Sequence, residues 1–93
     1  DFSTLVGTWR NGLGQECTFD KNGLVNSGNI EKVSMGNHGT IEFSVRSGFT
    51  GYGMSVYPAG LIMPGLDTDL TKNRLIAGQA APTSSEQVFY KVD

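Results

Sequence analysis

From Gly7 onward no stretch of this chain sustains the 3.6-residue apolar period of an amphipathic helix. Apolar residues come instead in short runs, several of them alternating, and turn residues cut each run short. The clearest is TIEFSVR, residues 40–46. Ile41, Phe43 and Val45 fall on one side and Thr40, Glu42, Ser44 and Arg46 on the other, the pattern of a half-buried antiparallel strand.

The rest of the chain divides in the same way. TWRN and QECTF flank Gly12-Leu13-Gly14, which supplies positive-φ positions for a tight hairpin. DKNG at residues 20–23 and GNHG at 36–39 are further turns, with LVN and IEKVSM as strands between them. After residue 46 come a glycine-rich loop, SGFTGYG, the run MSVY, a turn at Pro58-Ala59-Gly60 and the apolar LIM. LDTDLTKN is a polar loop, RLIAG a strand and QAAPTSS another loop. The chain closes on EQVFYKV, in which Val88, Tyr90 and Val92 alternate with Gln87, Phe89 and Lys91. Before Gly7, Asp1 or Ser3 can cap one short helical turn whose Phe2, Leu5 and Val6 plug an end of the core.

About eight short strands without a crossover helix cannot form a parallel sheet. A flat antiparallel sheet of that size would leave its apolar face bare. The expectation is an all-β domain over residues 1–93: a small antiparallel β-barrel or sandwich, opened by a short N-terminal helical turn. Thirteen glycines against three prolines suit so many tight turns.

Composition narrows the function. Charged residues make up 17% of the chain and the formal net charge is −2, with the basic residues scattered, so no nucleic-acid partner is expected. No apolar run approaches the ~20 residues that span a bilayer. The chain begins at Asp1 without a leader, which points to the edge of a mature protein or excised domain, with any tether upstream and a monomer as the default. Cys17 has no partner for an internal disulfide. It shares a face with Phe19 and has no neighbouring cation to stabilise a thiolate, so it is expected to be a buried, inert small hydrophobe.

Catalytic chemistry finds little to use. His38 is the sole histidine and sits in a turn. Ser55 lacks the second glycine of a nucleophile elbow. Carboxylates such as Glu16, Glu42 and Glu86 are too dispersed to be paired from sequence. No catalytic, cofactor or metal residues are assigned. Asp67–Asn73 has oxygen side chains at alternate positions, as calcium loops do, but lacks the glycine and the closing glutamate of such loops, so a polar turn fits better. Trp9 is expected to fill the closed end of the core. The candidate contact surface for a ligand or partner is Phe49, Tyr52 and Tyr57, aromatics on or beside the glycine-rich segment.

Taken together, DFSTLVGTWRNGLGQECTFDKNGLV, YPAGLIMPG, DTDLTKNRLIAGQ and the closing VFYKV resemble a domain family of unknown function that lies towards the C-terminus of exported lipoproteins of Gram-positive bacteria. The segment Asp69–Arg74 is the most distinctive part. The resemblance implies an extracytoplasmic, cell-surface location, a lipid anchor on the full-length protein and no established activity. A second resemblance, to lipocalins, rests on Gly7-Thr8-Trp9, but this chain is far shorter and has no later arginine motif. The expected function is a non-catalytic binding or structural module with a glycan or protein partner from the cell envelope or a host. A small carrier of an apolar ligand is the first alternative and a hydrolytic enzyme the second.

Overall fold

A computed structural model of the chain describes residues 5–21, 23–24, 29–36, 39–78 and 82–92. Among the described residues eight strands are present: β1 (Gly7–Arg10), β2 (Glu16–Asp20), β3 (Gly23–Leu24), β4 (Asn29–Met35), β5 (Ile41–Ser47), β6 (Thr50–Tyr57), β7 (Arg74–Ala77) and β8 (Phe89–Lys91). They form one antiparallel sheet in the order β3-β2-β1-β8-β7-β6-β5-β4. The first long strand and the last therefore pair in the middle of the sheet, through Trp9 opposite Lys91 and Arg10 opposite Tyr90. Among the described residues the helical element is a single 3-10 turn, Ser85–Gln87. The N-terminal turn expected at Asp1 and Ser3, and His38 in its loop, lie outside the described residues.

The sheet curls on itself. Phe19 on β2 and Phe43 on β5 are second and seventh in strand order, yet their rings meet edge to face at 6.2 Å and 87°. At the rim, a Cβ added to Gly23 on β3 would sit 3.2 Å from Cδ1 of Ile30 on β4. The two outermost strands thus face each other, and a curled, open barrel is the arrangement that brings them there. The Cα radius of gyration, 12.3 Å, matches the ~12 Å expected for a chain of this length folded compactly.

Burial follows the strand period. Phe43 and Val45 on β5, Met54 and Val56 on β6, and Leu75 on β7 line the inside with Trp9, Phe19 and Phe89. Trp9 is fully buried and its indole Nε1 donates to the Leu5 carbonyl at 2.9 Å. Among the described residues these side chains pack against one another across the interior, and grooves open on the outside of the sheet. Cys17 is half-buried against the same cluster.

Burial pushes the Cys17 thiol up to about 11, from an ordinary value of 9.0. Between those two values the unfolded chain gives up the proton while the folded chain keeps it. This contribution to stability is full below pH ~9 and is lost as the pH rises towards ~11. At pH 8 the native thiolate population is roughly a hundredfold below that of the unfolded chain, so iodoacetamide modifies the native domain correspondingly more slowly than the urea-unfolded chain. Equal rates in the two states would show that the sulfur is open to solvent.

Two parts of the local structure depart from the expected pattern. SGFTGYG is a loop only at Gly48-Phe49, and Thr50–Gly53 belong to β6. Pairing with β5 on that side outweighs the poor strand propensity of Gly51 and Gly53. In the β1–β2 hairpin, Gly14 adopts the positive φ (83°) but Gly12 does not. Gly12 is small for another reason: a Cβ there would lie 3.1 Å from the Glu86 Cα, where its own N–H donates to the Glu86 carbonyl at 2.8 Å. The buried Asn11 organises this loop, its Oδ1 accepting from the amides of Leu13 (3.0 Å) and Gln15 (2.9 Å).

Candidate binding groove

Residues paired directly across an antiparallel ladder share a face. Tyr57 lies opposite Arg74 and Arg74 opposite Tyr90, so these three form a row across β6, β7 and β8. Their neighbours Val56, Leu75 and Phe89 belong to the core, which puts the row on the outer face. Residues 58–73, the connection between β6 and β7, fold over this row. A connection of that length without regular structure is uncommon in a small domain and is usually functional.

Arg74 holds the connection in place. Its side chain is fully buried although it starts on the outer face. Nε donates to the Lys72 carbonyl (3.0 Å) and Nη1 to the Thr68 hydroxyl (2.8 Å). Nη2 donates to the carbonyls of Pro58 (2.8 Å) and Leu61 (2.6 Å). The guanidinium also lies 6.0 Å from the centre of the Tyr57 ring. An arginine fork suits this task, because it offers several fixed donors in one plane to oxygens arriving from several directions.

The rest of the connection is tied in turn. The Asp69 carboxylate accepts from the amide (2.9 Å) and hydroxyl (2.6 Å) of Thr71, and the Asp69 amide donates to the Tyr90 hydroxyl at 2.9 Å. Those Thr71 hydrogen bonds are the main cause that holds the Asp69 carboxyl below its ordinary range. Asn73 Oδ1 accepts from the Ala59 amide at 2.9 Å, and the Gly60 amide donates to the Leu70 carbonyl at 2.7 Å. Met63 is buried beneath, while Ile62 beside it is 68% exposed. The alternate oxygens of Asp67–Asn73 are thus used inside the segment, as a polar turn uses them. Among the described residues no three His, Cys, Asp or Glu side chains gather as a metal site would require.

Between this connection and β5 lies a groove of about 560 Å³, lined by Thr40, Glu42, Tyr57, Gly60, Leu61, Ile62 and Pro64. Leu61, Ile62 and Pro64 give it an aliphatic wall. Glu42 stands in it with one oxygen, Oε2, accepting from the Thr40 hydroxyl at 3.1 Å. Among the described residues Glu42 forms no ion pair. The volume falls in the range of small-ligand sites.

On the other side of Glu42 a shallower, polar trough of about 260 Å³ crosses the outer face over Lys32, Ser34, Ser44, Gly53 and Ser55. Lys32 sits at the irregularity of β4 between Glu31 and Ser34 with φ at 55°, which turns the strand there. Glu31 is engaged by Arg46 Nε at 3.1 Å.

The three aromatics chosen from sequence separate in the fold. Phe49 is fully exposed at the β5–β6 tip. Tyr52 turns inward and packs against the core. Tyr57 lies at the opposite end of β6, in the groove. Phe49 and Tyr57 are about 26 Å apart along an extended strand. The residues that sequence did not single out are Arg74, Ile62 and Glu42. The one available signal was the distinctiveness of Asp69–Arg74, which marks the clamp but not its target.

The fold and the groove belong to a chain with recognisable kin. The family model described as a domain of unknown function, DUF6287, matches residues 1–93. The chain belongs to the DUF6287 family. The sequence resemblance to a domain family of unknown function is established at that level. This DUF6287 domain gives no significant match to curated proteins or to solved structures.

Proposed function

We propose that this DUF6287 domain is a non-catalytic binding module of an exported, cell-surface lipoprotein of a Gram-positive bacterium, and that the groove at Tyr57 is where it meets its ligand or partner. The observation that carries the reading is a filled interior beside a long connection clamped by a buried arginine. A carrier of apolar ligands needs an internal cavity, and here Trp9, Phe19, Phe43 and Leu75 occupy that space. An outer groove with tied walls is what a binding module needs, because little ordering remains to oppose association. Glu42 pairs with a threonine hydroxyl, whereas glycosidase-type hydrolysis needs two facing carboxylates. The exported, lipid-anchored setting rests on the resemblance carried by the opening GTW segment, Asp69–Arg74 and the closing VFYKV.

The test is heteronuclear NMR of the labelled domain titrated with cell-envelope glycan fragments, envelope proteins and, separately, fatty acids. A ligand at a hundredfold its dissociation constant also stabilises by about 2.7 kcal/mol, which raises the melting temperature by roughly 4–8 °C. The module reading expects envelope material to shift the amides of Glu42, Gly60, Leu61 and Ile62. Fatty acid shifting Trp9, Phe43 and Val45 instead would replace it with the carrier.

A further inference from the structure

Resting on the reading of this groove as the binding site, we infer that its occupant is a segment of a protein partner carrying a lysine or arginine flanked by aliphatic residues. Charge is the first reason. Among the described residues Glu42 is the one carboxylate that lines the groove, no cationic side chain lines it, and Oε2 accepts from the Thr40 hydroxyl. Lys32, which lines the polar trough on the other side of Glu42, forms no salt bridge among the described residues. A groove carboxylate that forms no ion pair among the described residues suits a cation on the ligand. The chain's net charge of −2 attracts such a ligand rather than repelling it.

The aliphatic wall is the second reason. Ile62 is 68% exposed, next to Met63, which is only 3% exposed. The backbone on either side is fixed, because Arg74 holds the carbonyls of Pro58 and Leu61. Ile62 is therefore presented outward by an anchored segment, in line with Leu61 and Pro64. Branched apolar side chains in such a wall pack well against the aliphatic side chains of a peptide.

The third reason separates peptide from glycan. Sugars stack on open aromatic faces, and Tyr57 is the aromatic of the groove. The Arg74 guanidinium lies over one face of its ring, 6.0 Å from the centre, and competes for that face. Aliphatic walls and a lone carboxylate match a basic–aliphatic segment better than a polyhydroxylated ring.

The experiment titrates the intact labelled domain with the acetylated, amidated peptide Ala-Ile-Lys-Ile-Ala and with its glutamate counterpart Ala-Ile-Glu-Ile-Ala. The lysine peptide is expected to shift the amides of Glu42, Gly60, Leu61 and Ile62 saturably, and the glutamate peptide to bind at least about fivefold more weakly. Glu42→Gln should weaken the lysine peptide by about three- to tenfold, and Ile62→Ser by about tenfold. Glu86→Gln, on the far β1–β8 side, should leave binding unchanged. Both groove positions are exposed, so dispersed spectra for these variants confirm that they fold. Equal binding of the two peptides, or a groove that stays still with the lysine peptide, overturns the inference. If envelope glycans still move the groove amides in that case, the binding-module reading stands without it; if nothing moves them, both fall.

Discussion

Arg74→Leu should lower the stability of this domain by about 3 kcal/mol and release the β6–β7 connection. The substitution removes donors to four oxygens, three of them backbone carbonyls of Pro58, Leu61 and Lys72. Each carbonyl left without a donor in a part-buried site costs on the order of 1–3 kcal/mol. Water reaching some of them, and relief from burying a guanidinium, offset part of that sum. With a urea m-value near 1 kcal/mol/M, the unfolding midpoint should drop by roughly 2–3 M. Arg74→Lys keeps the charge but loses the planar fork, so it should fall between wild type and leucine at about 2 kcal/mol.

The loss should also be localised. Hydrogen exchange at Gly60, Leu66 and Lys72, whose amides bond within the connection, should speed up before exchange in β5 and β6 does. Peptide binding at the groove should weaken in parallel, since its wall would then have to be ordered on association. A midpoint within about 0.5 M of wild type, with unchanged exchange in the connection, would remove Arg74 from this role.

Trp9→Ala should cost more, about 3–5 kcal/mol, because it empties the centre of the core and leaves the Leu5 carbonyl without its indole donor. A domain of this length has a total stability of about 5–14 kcal/mol, so the variant should lose a large fraction of it and melt roughly 15–25 °C lower. Trp9→Phe retains most of the ring and should cost about 1–2 kcal/mol, mainly for the lost hydrogen bond. Circular dichroism melts measure both. Free indole at millimolar concentration should restore part of the loss in Trp9→Ala and do nothing to wild type, as a small apolar molecule fills an engineered void. If Trp9→Ala melted close to wild type, the interior would be loosely packed, and the carrier reading would return.

The sequence signals that worked share one property: they are local. Ile41, Phe43 and Val45 alternate with polar partners, and period-two burial needs only a strand to be true. Trp9 sits among turn residues with no second polar element to draw it outward. EQVFYKV alternated as well, with Val88, Tyr90 and Val92 set against Gln87, Phe89 and Lys91, and that grouping put Phe89 with the polar residues. Pairing of Phe89 with Leu75 puts Phe89 in the core and turns Tyr90 outward to Asp69. The segment Thr50–Gly53 misled because glycine density is read as loop, while the strand is made by its ladder to β5.

The groove was far less legible. Asp69–Arg74 stood out as a segment, yet the oxygens that Arg74 holds belong to residues 58, 61, 68 and 72, and their convergence depends on how the connection folds back. Tyr52 and Tyr57 looked alike in sequence. They are five residues apart on one strand, so the pleat sends them to opposite faces once that strand is known. Ile62 and Met63 are adjacent apolar residues, and nothing local says which of them is buried.

The amino-acid sequence by itself determined an all-β chain, its glycine turns, the inward face of β5 and a core tryptophan, because alternation and turn chemistry act between near neighbours. Only the tertiary structure decided that the sheet curls until Phe19 meets Phe43, that Arg74 is buried among carbonyls, and that Glu42 shares a groove with Ile62. Those outcomes depend on contacts between residues far apart in the chain, and the free energy of such contacts exists only once the sheet has closed around its core.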